Sequence, residues 1–262
     1  IEASNQSRLD MSVFCIEAPI GPFGKMLQEQ GISITSTSRQ PGLDLKVIRR
    51  LRRHIKQHRI DVVHCHQYTP WVYGTLACVG LGRQVIFTEH GRFYPDRSSW
   101  KRRFINPLLA RLTARVTAIS EATRQALVDY EFIPARRIEV IYNGIAALPD
   151  EPAAAAQARA QYGIPPAAVV LGTIARFDPI KNHPMMLRAF AAVIKTQPTA
   201  HLLIVGDGEE RPRLEALIQE LGITDSVTLT GYVPRPAALL AAMDIFLLPS
   251  FSEGTSMTLL EA

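Results

Sequence analysis

The chain is poor in cysteine, and its cysteines are not spaced for chemistry. Cys15, Cys65 and Cys78 form no C-x-x-C pair and show no metal-ligand spacing. A dithiol redox motif is thereby excluded, and a reduced, cytoplasmic setting is the expectation. No apolar run approaches the roughly 18–20 residues of a membrane-spanning helix, and no signal peptide opens the sequence. No strand is followed by G-x-G-x-x-G, and G-x-x-x-x-G-K-[ST] does not occur. Dinucleotide and P-loop readings therefore lose their main support, and Gly206-Asp207-Gly208 is too short to restore them. A net charge of +5 on 262 residues is modest and gives no argument for a nucleic-acid partner. The chain begins at Ile1 rather than Met and stops at Ala262 inside a helical pattern. Both ends read as cut, so a fragment of a longer protein is expected.

What is present is a globular composition, 47% hydrophobic and 20% charged. The length suits one large domain or two of about 120–130 residues. Apolar runs alternate with amphipathic ones throughout. Strands are expected at 11–16, 32–35, 60–66, 84–88, 116–119 and 138–142, then at 169–174, 201–205, 227–229 and 245–248, with helices between them. Asp44 is expected to cap a helix to about His58, with Leu45, Ile48, Leu51 and Ile55 on its buried stripe. A further helix is expected from Asn106 to Thr113. The stretch 145–168 turns rich in alanine and proline. A boundary is placed there, giving an amino-terminal domain, 1–148, and a carboxyl-terminal domain, 149–262.

This alternation predicts an α/β architecture of two Rossmann-like, doubly wound domains with parallel sheets, facing a cleft. In such sheets ligands bind outside the carboxyl ends of the strands. The residues hardest to explain by packing fall at those ends: His64 and His66, Glu89-His90-Gly91, Ser120, Asn143-Gly144, Arg176 with Lys181, Gly206 to Gly208, Gly231, and Ser252 to Ser256. Two cations after one strand suit a diphosphate, and they equally suit an exposed surface. Thr255 to Glu261 is expected to be a helix, and the free N–H groups of its N-terminus at Gly254, Thr255 and Ser256 could hold an anion or sugar hydroxyls. Glu253 and Glu261 bracket that segment and, ionised, only accept hydrogen bonds, which suits a polyhydroxylated ligand. His64 and His66 share one side of a strand, but no third ligand stands at matching spacing, and no metal site is assigned.

The basic face Arg49 to Arg59 and the loop Trp100 to Phe104 fit either plain solvation or contact with an anionic membrane.

Taken in order, Val63-His-Cys-His-Gln67, Thr88-Glu-His-Gly91, Thr117-Ala-Ile-Ser120, Val140-Ile-Tyr-Asn-Gly144, Gly172 through Asn182, Val205-Gly-Asp-Gly208, Leu229-Thr-Gly-Tyr-Val233 and Pro249 through Ala262 form a pattern. The chain resembles the retaining, nucleotide-sugar-dependent glycosyltransferases of the GT-B fold, family 4 (glycosyl transferases group 1), incomplete at both ends. The resemblance implies a hexosyltransferase of cell-envelope polysaccharide biosynthesis that needs no metal and no cofactor beyond its nucleotide-diphosphate-sugar donor. It implies that Arg176 and Lys181 clamp the diphosphate, that Glu253 binds sugar hydroxyls beside Gly254, Thr255 and Ser256, and that Glu261 holds the ribose. Tyr232 and Val233 would face the base, and His90 would lie against the sugar near the reacting carbon. The implied partners are the nucleotide sugar and a saccharide or lipid-linked acceptor, with no nucleic acid; the two basic stretches add, as an expectation, peripheral contact at the inner face of an anionic membrane. The family's first strand and glycine-rich loop are missing before Ile1. A nucleotide-sugar epimerase of the same fold and a non-catalytic nucleotide-sugar-binding module are the competing readings.

Overall fold

The computed structural model describes residues 9–91, 98–145 and 152–262. They form two compact units, one ending at Ile141 and the other beginning at Tyr142. The expected boundary at 148 lies outside the described residues.

The first unit runs β1 (Ser12–Cys15), α1 (Pro22–Glu29), β2 (Ser33–Ser36), α2 (Leu45–Gln57), β3 (Val62–His66), α3 (Tyr68–Cys78), β4 (Gln84–Glu89), α4 (Arg102–Arg111), β5 (Arg115–Ala118), α5 (Glu121–Glu131) and β6 (Ile138–Val140). All its strand pairs are parallel. They fall into two sheets, β1-β2 and β3-β4-β5-β6, rather than one. Phe14 and Ile16 on one side and Val63 and Cys65 on the other line a cavity of about 120 Å³ between β1 and β3.

Local chemistry explains the helices. The Asp44 carboxylate accepts the Lys46 N–H at 2.8 Å and starts α2 where the sequence predicts. The buried row is Val47, Leu51 and Ile55, four residues apart, while Leu45 is exposed. Helix α4 begins at Arg102, one turn before the expected Asn106, and carries Pro107 inside it. Its first turn is secured without the proline's N–H, through Phe104 and Ile105 amides donating to Lys101 O. In the core, Trp71 stacks on Phe87 at 4.5 Å between ring centroids, and its Nε1 donates to Thr113 Oγ1 at 2.8 Å. Burial pushes the Cys65 thiol up to about 12, so it packs as a small apolar group.

The second unit runs α6 (Pro152–Gln161), β7 (Val169–Ile174), α7 (His183–Val193), β8 (Ala200–Val205), α8 (Arg211–Glu220), β9 (Val227–Leu229), α9 (Ala237–Ala241), β10 (Ile245–Phe246) and α10 (Met257–Glu261). Its sheet is parallel, in the order β10-β7-β8-β9. Strand β8 is buried along its whole length. Its alternate residues divide the core: Leu202 and Ile204 pack with Met186, Leu187 and Leu214, while Leu203 and Val205 pack with Ala158, Leu239 and Ala242. Helices thus cover both faces. Strand β10, at a sheet edge beside β7, is shorter than expected, and Ile245 is half exposed.

His183, at the first position of α7, is 1% exposed and sits edge-on to Phe177. Its Nε2 has no hydrogen-bond partner among the described residues. Burial, and secondarily the charge of Lys181, lowers its pKa to about 4. The unfolded chain, with an imidazole near 6.5, then binds more protons over this window, so stability is complete above about pH 6.5 and falls toward about pH 4. Thermal unfolding followed across this range should show that loss, up to about 3 kcal/mol from this group. His183→Phe should remove that component.

Candidate functional site

Because the four strands of the second unit are parallel, their carboxyl ends share one sheet edge. The chain steps outward from β7 through β8 to β9. It then returns by α9 and lays β10 on the opposite side of β7. The winding reverses between β7 and β10, the place where an open parallel sheet leaves a crevice for a ligand. The two loops at that point are Ala175 to Asn182 after β7 and Leu247 to Ser256 after β10.

Backbone and side-chain bonds lock these loops together. The Phe251 N–H donates to Ile180 O at 2.9 Å, and Asn182 Nδ2 donates to Pro249 O at 3.2 Å. Asp178 Oδ1 accepts the Ile180 N–H at 3.1 Å and opens the turn Pro179–Lys181. At its centre Lys181 Nζ meets Glu253 Oε1 at 2.7 Å, both side chains about one-quarter exposed (25% and 22%). Lys181 and Glu253 lie 72 residues apart in sequence. Arg176 does not join this pair. Its guanidinium bonds the Asp178 carboxylate and is 73% exposed. An ion pair so open to solvent is worth at most about 1 kcal/mol, so a ligand anion can displace it.

The glycines of the β8 exit serve the loop itself. A Cβ on Gly206 would lie 2.0 Å from Ala175 O, and one on Gly208 would lie 2.5 Å from Phe177 O. Their absence lets the β8 loop pass directly over the Arg176 segment, where the Phe177 N–H donates to Asp207 O at 2.9 Å. Gly206 N–H also donates to Gly231 O at 3.0 Å, which holds the following Tyr232 at the same sheet edge. Tyr232 is exposed, while Val233 packs into the core beside Leu203.

The segment after Glu253 departs from expectation. Helix α10 starts at Met257, so Gly254, Thr255 and Ser256 precede it rather than form its first turn. Ser256 Oγ accepts the Leu259 N–H at 3.3 Å, and Thr255 Oγ1 donates to Gly254 O at 3.0 Å. The chain itself uses part of the hydrogen-bonding capacity assigned there to a ligand. Glu261 closes α10 and is half-buried.

In the first unit a histidine cluster forms at the ends of β3 and β4. His66 Nδ1 lies 2.7 Å from His90 Nε2, and their rings stack at 5.0 Å. His64 Nε2 bonds Thr88 Oγ1 at 2.8 Å, and Thr88 continues to Thr117 Oγ1 at 2.6 Å. Partial burial first, and the neighbouring imidazoles second, lower His66 to about 4 and also lower His64; burial lowers His90. Near neutral pH the His66–His90 contact is therefore between two uncharged rings, one donating and one accepting. Gln67 bends the chain just after His66 with φ 74°, a conformation uncommon outside glycine. Sequence spacing singled out His64 and His66 as a pair and His90 separately, and missed their union. The available signal was that the His66 and His90 positions follow the ends of neighbouring parallel strands. No group of three or more metal-ligating side chains is assembled for a metal among the described residues.

With this geometry in hand, comparison with known proteins is informative. Residues 6–147 match the family described as Glycosyltransferase Family 4, and residues 155–262 match Glycosyl transferases group 1. The D-inositol 3-phosphate glycosyltransferase of Segniliparus rotundus is 27% identical over 78% of this chain and 49% of its own length. A UDP-Gal:alpha-D-GlcNAc-diphosphoundecaprenol alpha-1,3-galactosyltransferase of Escherichia coli is 25% identical over 97% of this chain and 69% of its own. The chain thus spans about half to two thirds of the length of these curated relatives. Anabaena HepE, crystallised with UDP and glucose, superposes with a TM-score of 0.80 at 22% identity, covering 95% of this chain and 70% of that one. The shared fold is GT-B, with two Rossmann-like units. The chain belongs to glycosyltransferase family 4, its second unit being the group 1 glycosyl transferase segment.

Proposed function

We propose that the protein transfers a hexose from a nucleotide-diphosphate sugar to a saccharide or lipid-linked acceptor, with retention of configuration and without a metal. The observation that carries this reading is the Lys181–Glu253 pair at the winding reversal of the second sheet. A cation and a carboxylate fixed 2.7 Å apart offer adjacent sites for a phosphate oxygen and for sugar hydroxyls. Family membership supports the assignment, as do the sugar-transferring relatives.

In this reading the donor diphosphate draws Arg176 away from Asp178 and shares Lys181 with Glu253. As the bond from the anomeric carbon to the phosphate oxygen breaks, its electron pair leaves with the nucleoside diphosphate. Arg176 and Lys181 meet the growing negative charge in an arrangement built beforehand. The acceptor oxygen attacks from the face the phosphate leaves, and its proton passes to that departing phosphate. Glu253 and the Gly254–Ser256 segment hold sugar hydroxyls, Glu261 the ribose, and the backbone at Tyr232 and Val233 the base. His90, kept neutral by burial and held by His66, offers the sugar a hydrogen bond rather than a charge. The acceptor is a membrane glycolipid precursor or a polysaccharide end at the cytoplasmic face.

Three measurements test this. Arg176→Ala and Lys181→Ala should each lower kcat/KM by about 100-fold, the effect of removing one preorganised donor to a developing anion. Unchanged kinetics in both would remove the phosphate clamp. The kcat/KM profile should fall along an acid limb displaced below the ordinary imidazole range near 6.5, because burial lowers His90. His90→Gln should abolish that limb. A panel of UDP-, GDP- and ADP-sugars followed by thermal unfolding should identify the donor, since ligand at 100 times its Kd stabilises by about 2.7 kcal/mol. A flat response across the panel would count against donor binding.

A further inference from the structure

We propose that the outer face of α4 is a docking surface for an anionic lipid bilayer. Ordinary surface helices bury an apolar stripe and expose a polar one. Helix α4 buries Leu109 and Ala110 but also keeps an apolar row outward. Phe104, Leu108 and Leu112 recur every fourth residue, and all three are exposed, Phe104 by 70% and Leu108 by 58%. Ile105 widens the row. Trp100, 72% exposed, stands at its start with its ring edge-on to Phe104 at 6.3 Å.

The helix cannot turn this face inward, because its other face is bolted by polar bonds. Asn106, fully buried, donates through Nδ2 to Glu131 O at 3.0 Å and to Glu131 Oε2 at 2.8 Å. Tyr68 OH donates to Asn106 Oδ1 at 2.9 Å, and Arg102 Nη1 bonds Glu131 Oε1 at 2.7 Å. Thr113, just past the helix end, receives the Trp71 indole N–H. Rotation would strand these buried groups without partners, which costs more than the exposed apolar area returns. The apolar row is therefore held outward by construction.

Charge decides the occupant. No carboxylate occurs from Ser98 to Ser120, whereas Lys101, Arg103, Arg111 and Arg115 are all exposed there. An apolar row with an aromatic residue at its end and cations around it suits the boundary between anionic headgroups and acyl chains. The basic helix α2 is a weaker candidate. Two of its arginines are committed to the fold, Arg50 to Thr37 Oγ1 and Arg52 to the carbonyls of Ala77 and Val79.

The proposal stands apart from the transferase reading, because lipid binding is measured without donor or turnover. The chain is sedimented with phosphatidylcholine vesicles with and without phosphatidylglycerol, and its tryptophan emission is recorded. Of its two tryptophans, Trp71 is already buried, so a blue shift reports Trp100. The chain should prefer the anionic vesicles by at least about tenfold, with a blue shift, and release in high salt. Phe104→Ser/Leu108→Ser should lose both signals while leaving the unfolding midpoint in place. Lys101→Glu/Arg111→Glu should weaken binding by about fivefold or more for each site. Equal binding to both vesicle types, or binding that the serine variants leave intact, would overturn the proposal. So would a concentration-dependent dimer in sedimentation velocity that the serine variants abolish, since the face would then meet a second copy of the chain.

Discussion

The candidate donor site depends on the pairing of β10 with β7. That pairing is short: Ile245 lies beside Leu171, Phe246 beside Gly172, and Leu247 N–H donates to Gly172 O at 2.7 Å. Gly172 is required there, because a Cβ would fall 2.6 Å from Met243 Sδ and 2.7 Å from Leu203 O. Asp244 reinforces the junction. Its Oδ2 accepts the Val170 N–H at 2.7 Å and pairs with Arg159 of α6 at 3.0 Å. Only with β10 on that side of β7 do Glu253 and Lys181 meet. A two-residue strand thus sets the position of a carboxylate seven residues beyond it.

The two candidate centres differ in electrostatic character, and the difference follows from burial and neighbours. In the second unit, charge is kept and balanced: Lys181 with Glu253, Arg176 with Asp178. Pairs that are partly or fully solvated add little to stability, so their presence at a strand-end crevice is better accounted for by ligand binding than by folding. In the first unit, charge is suppressed. Three imidazoles crowd the ends of β3 and β4, and each proton added would face desolvation. That cluster presents hydrogen-bonding atoms with no net charge, suited to hydroxyl groups. Each suits a different ligand chemistry, the crevice an anion and the imidazole cluster hydroxyl groups.

Much of this was legible along the chain. Asp44 caps α2 and Ser120 caps α5 as their side chains dictate. The continuous apolar run of β8 marks a central parallel strand, and its single polar residue, His201, finds Thr228 on the neighbouring strand. Other features were not legible. The helix expected from Asn106 begins a turn earlier, at Arg102, because the Phe104 and Ile105 amides find the Lys101 carbonyl. Thr255 and Ser256 have the composition of a helix start, but the side chain of Ser256 caps a helix that begins after it. The Trp100 loop and the α2 face looked equivalent as basic surfaces. Hydrogen bonds then committed part of α2 to the fold and left the outer row of α4 exposed.

The sequence by itself determined the alternation of strands and helices, the parallel sheets, and the set of polar residues at strand ends. Each of these depends on periodicity or on neighbours within a few positions. Tertiary structure alone decided the strand order β10-β7-β8-β9, the meeting of Lys181 with Glu253, the His66–His90 contact, and the outward apolar row of α4. Those depend on which strand edge accepts which partner and on which face of a helix its buried polar bonds hold inward. Such choices are made between residues tens of positions apart, and no local spacing encodes them.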